Sequence, residues 1–182
     1  MNKLILVIAL VINLTVICLP KATMGVQQPV GELSIGDEHL GGVVFYLFQG
    51  DDGRQHGLVV SATETLAAWQ SPVSLVNAGS TTDGPENYKL MVDSPAKDWI
   101  TSNFSSEWYL PTLNELSILW VVRFKINEAL QKGSHTPLAM DGYYWSSRER
   151  GERFAYFFNF EDGDPYTYGK EVKYSVRAVR AF

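Results

Sequence analysis

Residues Arg153–Tyr166 read RFAYFFNFEDGDPY. Five aromatic rings occupy the seven positions 154–160, and an acidic turn, a proline and a tyrosine follow. The alternation in RFAYFFNF predicts a strand with two unlike sides. Phe154, Tyr156, Phe158 and Phe160 share one side; Arg153, Ala155, Phe157 and Asn159 share the other. Full burial of one large apolar side chain is worth ~1.5–3 kcal/mol, so four rings left in water would forgo ~6–12 kcal/mol. That rivals the ~5–15 kcal/mol stability of a whole domain. The four-ring side is therefore expected in the core. A ligand held by this strand would lie against the Phe157/Asn159 side and the acidic turn.

Working outward, YYWSS (143–147) reads as a short strand before it, and KYSVRAVRAF (173–182) as a closing strand after it. Arg177 and Arg180 are three apart, so in a strand they face opposite ways. One is expected at the core boundary beside a carboxylate, the other in solvent. Further upstream, Thr112-Leu-Asn-Glu115 has capping-box spacing and predicts a helix start. Leu113, Leu116, Trp120 and Phe124, with Leu119 beside them, predict its buried stripe. Gly133 suits the end of that helix. Ser94-Pro95 predicts a shorter helix over AKDWITSNF. VVFYLF and LVVSA, joined by QGDDGRQHG, predict a hairpin over 43–62. Residues 63–93 lack periodicity and read as a long loop with one or two short elements, pinned to the core by Trp69.

The chain has 182 residues and a formal charge of −5. Lys3 precedes an apolar run, Leu4–Leu19, and small or polar residues follow, the layout of a secretory signal peptide over 1–25. The run is slightly short of the ~20 residues that span a bilayer comfortably. No A-x-A marks a cleavage site, and Ile17 before Cys18 is too large for a lipoprotein signal. Residues 26–40 read as a flexible lead-in and 41–182 as one domain. Cys18 is the only cysteine, so the exported domain is expected to hold by packing without disulfides. Loss of Lys3 and Lys21 would take the formal charge from −5 to −7. An acidic surface argues against nucleic acid as a partner. No membrane insertion is expected after signal cleavage.

Four ordered segments carry a likeness: Gly41–Ala62, Trp108–Leu119, Tyr143–Ser147 and Tyr174–Phe182. They run GGVVFYLFQGDDGRQHGLVVSA, WYLPTLNELSIL, YYWSS and YSVRAVRAF, and the pattern resembles the DUF1566 or Lcl C-terminal domain family, the head of the Legionella collagen-like adhesin. The resemblance implies an α+β, C-type-lectin-like architecture, with a twisted antiparallel sheet, two helices and long loops. It also implies an exported, adhesin-like role, and in that adhesin the head is a trimer implicated in binding sulfated glycosaminoglycans. This chain differs in lacking a Gly-x-y collagen repeat, in being acidic, and in carrying Arg148-Glu-Arg150 where relatives commonly have Thr-Glu.

Catalytic signatures are absent from the sequence. His39, His56 and His135 have no metal-ligand spacing, there is no GxSxG, and the domain has no cysteine. His56 is expected to make a structural hydrogen bond at the hairpin. Asp51-Asp52-Gly53 and Glu161–Asp164 each offer fewer oxygens than the six to eight that calcium takes, and Asp-Gly suits a plain turn. No cofactor is expected. Arg148, Arg150 and Arg153 fall between two predicted strands. If they converge with Tyr144, Trp145 or Tyr166, they form a ring-plus-guanidinium site suited to anionic sugars. If they do not, RERGER is a solvated turn whose glutamates cancel its charge. Two functions stay open: a secreted or cell-surface recognition module for glycans, and a structural or assembly protein that binds another protein or itself. An enzyme is not expected.

Overall fold

The predicted hairpin is present, and the folded domain begins before the expected residue 41, within the segment expected to be a flexible lead-in. The computed structural model describes residues 31–182; the expected signal segment lies outside them, as do residues 26–30 of the lead-in. From Gly31 on, the chain belongs to the domain. Leu33 exchanges two backbone hydrogen bonds with the Gln55 side chain. Leu33 and Ile35 pack on the core. The short strand β1 (Glu38–His39) pairs with β2 (Gly42–Gln49), and β2 with β3 (Gln55–Ser61).

Next come β4 (Thr65–Ala68), α1 (Gly84–Leu90), α2 (Pro95–Asn103) and α3 (Leu113–Lys132). The chain then closes with β5 (Tyr143–Glu149), β6 (Phe154–Asn159), β7 (Asp164–Gly169), β8 (Lys173–Val176) and β9 (Val179–Ala181). The strands form two sheets, ordered β1-β2-β3-β9 and β4-β8-β5-β6-β7. All pairings are antiparallel except β5 with β8. This corrects the expected C-type-lectin-like architecture, which has one twisted antiparallel sheet and two helices. Here two sheets dominate and three helices accompany them.

The reason lies in the closing segment. KYSVRAVRAF is not one strand: it leaves the larger sheet after Val176 and joins the smaller one at Val179. Arg177 sits at the crossing and is buried. Its guanidinium donates to the carbonyls of Ser61 (2.7 Å), Thr136 (2.8 Å) and Pro137 (3.1 Å), and its Nε to Glu64 (3.0 Å). Glu64 also accepts from the buried Tyr144 hydroxyl. Arg180 remains at the rim, 3.6 Å from Glu107. Arg177 takes the core-boundary role expected of one of the two arginines, whereas Arg180 is only partly exposed and not fully in solvent.

The capping box forms as the sequence predicts. Thr112 Oγ1 accepts from the Glu115 backbone N–H, and Glu115 Oε2 from that of Thr112. The buried stripe of α3 differs from the expectation. Leu116 and Leu119 are buried, but Ile126 and Leu130 continue the stripe, and Phe124 is 68% exposed. At ~100° per residue, Phe124 lies roughly a third of a turn away from that stripe. Arg123 covers it in part, with its guanidinium 4.5 Å from the Phe124 ring and 4.0 Å from that of Trp120.

The ring-rich strand β6 also departs from the expected split. Phe158 and Phe160 pack with Leu116, Leu119 and Ile126. Phe154 is 50% exposed, however, and Tyr156 is half-buried. Phe157, on the other side, is only 7% exposed and belongs to a second core with Trp69, Trp145 and Val176. Both sides of the larger sheet are covered at its centre, α3 lying over one and the 69–93 segment with α2 over the other. A two-sided sheet makes alternation a poor guide to burial. Gly163 in the following turn has φ of +82°, and a Cβ there would lie 2.6 Å from the Trp120 ring, so glycine is required on both counts.

The long 63–93 segment is anchored by a buried ion pair. Lys170 Nζ meets Glu149 Oε1 at 2.5 Å and also donates to Gln70 Oε1 and the Ser74 carbonyl. Glu149 in turn accepts the backbone N–H groups of Val76 and Asn77. Trp69 donates its indole N–H to the Ser146 carbonyl, as its predicted pinning role requires. Among the described residues no helix is long and apolar enough to cross a membrane.

Removing one partner of such a pair leaves a buried charge uncompensated, at ~3–5 kcal/mol. Lys170→Met is expected to lose that much in urea unfolding, and a loss below ~1 kcal/mol would show that the pair does not anchor the segment. Glu115 gives a pH signature. Burial raises its carboxyl above the usual range, against hydrogen bonds from Tyr109 and Thr112 that pull it down. A folded value above the unfolded ~4.3 means that its contribution is full in acid and lost as pH rises through the folded value. Glu115→Gln keeps the cap and should flatten that loss, with a change below ~1 kcal/mol at pH 7, whereas Glu115→Ala should lose ~1–2 kcal/mol.

Candidate functional site

The six candidate residues do not form one site. Tyr144 and Trp145 are fully buried. The Tyr144 hydroxyl joins the Arg177–Glu64 group, and the Trp145 indole N–H donates to the Ala67 carbonyl. Arg148 and Arg150 do come together, over Tyr156. The Arg148 guanidinium lies 4.7 Å from that ring, and Arg150 Nη1 donates to its hydroxyl at 3.3 Å. Arg148 Nε also donates to the Gly79 carbonyl. Arg153 is exposed, and its side chain makes no hydrogen bond or ion pair among the described residues. Tyr166 stands on the other side of the sheet: it pairs with Phe157, whereas Tyr156 pairs with Thr167.

Tyr166 belongs instead to an aromatic cleft of about 340 Å³ on the Phe157 side of the sheet. Four strands supply its rings: Tyr143 from β5, Phe157 from β6, Tyr166 and Tyr168 from β7, and Tyr174 from β8. Register places them in mutual contact. Phe157 stacks with Tyr166 at 5.8 Å between centroids, and Tyr143 meets both Phe157 and Tyr174 edge-on at 5.3 Å. Tyr174 lies 4.8 Å from Phe157 and 5.9 Å from Tyr168. Such pairs favour offset or edge-to-face geometry at 4.5–7 Å. Tyr166 and Tyr168 are 45% and 51% exposed, so this cluster meets solvent where the Trp145 end of the same side is sealed.

Two polar side chains complete the lining, Asn159 and Asp162. Asn159 Oδ1 accepts the Glu161 N–H at 3.0 Å. Asp162 Oδ1 accepts the Asp164 N–H, and its Oδ2 the Tyr166 hydroxyl at 3.0 Å. That last bond, followed by the Asp162 charge, raises the Tyr166 phenol above its ordinary value. Burial, with smaller effects from Tyr168 and Tyr143, does the same for Tyr174. Tyr166 and Tyr174 are therefore neutral hydrogen-bonding groups at physiological pH.

The expected side of β6 and the expected turn thus build the cleft, while Tyr143, Tyr168 and Tyr174 were not singled out in the sequence. The signal for one of them is present: Tyr168 stands two residues after Tyr166, the spacing of one strand side.

The histidines are structural in geometry. His56 Nε2 lies 3.0 Å from Asp52 and its Nδ1 3.2 Å from the Phe182 carbonyl, the hairpin role expected of it. His135 faces Glu38 at 3.1 Å. Among the described residues, no group of three or more His, Cys, Asp or Glu is placed to hold a metal ion.

No family model and no curated protein sequence matches this chain. Among solved structures, the chain is similar to a fimbrial protein from Bacteroides ovatus, with a TM-score of 0.58 and 19% sequence identity. The likeness covers 72% of this chain and 37% of that one, so the chain spans little more than a third of that protein. At this identity the likeness concerns the fold. It supports the correction from a lectin-like to a β-rich, fimbrial-type architecture, and the resemblance to the Lcl C-terminal family rests on sequence motifs alone.

Cross-strand aromatic pairs contribute ~0.2–1 kcal/mol each, whereas emptying a core ring site costs ~3–5 kcal/mol. Tyr166→Ala and Tyr168→Ala should therefore each lose no more than ~1 kcal/mol in chemical denaturation, and Trp145→Ala ~3–5 kcal/mol. Comparable losses at all three positions would mean that the cleft rings belong to the core.

Proposed function

We propose that this chain is an exported cell-surface protein of fimbrial type that acts by binding, to another protein or to a second copy of itself, and not by catalysis. The observation that carries this reading is the fold likeness to a fimbrial protein. The site chemistry agrees with a binding role. Two of the three histidines are each taken up by one carboxylate. The exposed side chains with recognition chemistry are rings and arginines.

A specific observation favours a second reading, adhesion to glycans. The tyrosine cleft presents exposed ring faces beside an amide and a carboxylate. That combination suits sugars, whose C–H faces pack on rings while their hydroxyls hydrogen-bond. Export itself is supported by the signal-like Leu4–Leu19 run after Lys3.

Sedimentation velocity of the protein, purified after expression of the full chain, should show a shift to larger species with rising concentration. Cross-linking on intact cells should capture the same contacts at the surface. A chain that stays monomeric throughout, and is inaccessible to protease added to intact cells, would refute the assembly reading.

A further inference from the structure

We infer that the tyrosine cleft is a subsite for an uncharged sugar ring, and that the Arg148/Arg150 pair is not part of it. This inference rests on the glycan reading above and narrows it to a ligand class. Sulfated or carboxylated glycans need guanidinium or ammonium groups that can fork onto their oxygens. No Lys or Arg lines the cleft, and Asp162 does. Arg148 and Arg150 are gathered over Tyr156, on the opposite side of β6 from Phe157. An anionic ligand in the cleft would meet a carboxylate and no compensating cation.

Hydrogen-bonding capacity identifies what fits instead. Asn159 is only 8% exposed, yet it lines the cleft. Its Oδ1 is fixed by the Glu161 N–H, which sets the amide plane and leaves Nδ2 without a hydrogen bond among the described residues. That amide nitrogen is open to solvent and so is available to donate to a ligand in the cleft. Asp162 oxygens each accept one bond and retain capacity for another. The Tyr166 hydroxyl donates to Asp162 and can still accept. Donors and acceptors thus stand side by side next to exposed rings, which is what a sugar's hydroxyls and C–H face require. A ligand ammonium, the other common guest of ring clusters, would be drawn to Asp162 but would leave the Asn159 amide donor unused.

The experiment uses protein purified after expression of the full chain, on a panel of neutral hexasaccharides and matched sulfated ones, with choline as the cationic probe. Retention of at least one neutral oligosaccharide is expected. It should weaken at least tenfold in the Tyr166→Ala/Tyr168→Ala double variant, and also in Asn159→Asp, which keeps the Glu161 bond but removes the donor. Arg148→Ala/Arg150→Ala should bind neutral sugars as the parent does. Circular dichroism and melting checks that each variant is folded, and Asn159→Asp serves as the single-atom control if the double variant is not. Retention of sulfated sugars alone, lost in the arginine variant, would overturn this inference and leave the glycan reading standing. Retention of neither class would overturn both. Choline binding that the tyrosine variant abolishes would overturn the sugar assignment.

Discussion

The guanidinium of Arg177 is the interaction on which the architecture depends. A buried charge is tolerated only when it is paired and its donors are used. Here those donors reach the end of β3, the Glu64 carboxylate before β4, and the segment leading to β5. The closing chain passes from one sheet to the other at this residue. With Arg177 satisfied only by groups from both sides of the crossing, the two sheets are held in one relative arrangement. Lys170 repeats the device at the opposite end of the larger sheet's strands. It joins Glu149 at the end of β5 to the loop that covers the Trp145 side. Two cations that could be read as surface charge are thus structural.

That conversion explains what was and was not legible in the sequence. Local signals held: the capping box at Thr112, the Ser94-Pro95 start, the hairpin, and the core-boundary role of Arg177. Each depends on a few neighbouring residues. What failed depends on partners distant along the chain. KYSVRAVRAF looks like one strand because nothing local marks the change of sheet at Arg177. Phe124 looks like part of the helix stripe because its spacing fits until the true centre of burial, set by Ile126 and Leu130, is known. Phe154 and Phe157 exchange their expected burial because the Ala155/Phe157/Asn159 side of β6 is covered along its whole length, whereas the other side is covered only from Phe158 onward.

The same limit governs the site. Arg148, Arg150, Tyr144, Trp145 and Tyr166 crowd together in sequence and strand order, yet the pleat sends them to two sides and the core takes two of them. Adjacent positions on a strand are the least likely to share a surface. The cleft is assembled from alternate positions on neighbouring strands, and only pairing register reveals it. Phe157 is its hinge residue in composition, packed on Trp145 below and on Tyr166 and Tyr174 beside it.

One feature of the larger sheet bears on how that cleft behaves in time. β7 is one of its two edge strands, hydrogen-bonded on one flank alone, and a proline stands in it at 165. It nonetheless supplies two of the five rings. Outer strands with solvated backbone groups open at lower free energy than those in the middle of a sheet. The wall formed by Tyr166 and Tyr168 therefore fluctuates on the schedule of its own amides, while Phe157 and Tyr143 stay put. Occupancy of the cleft would be written into the hydrogen-exchange rates of residues 166–169 before it altered anything in the global melt.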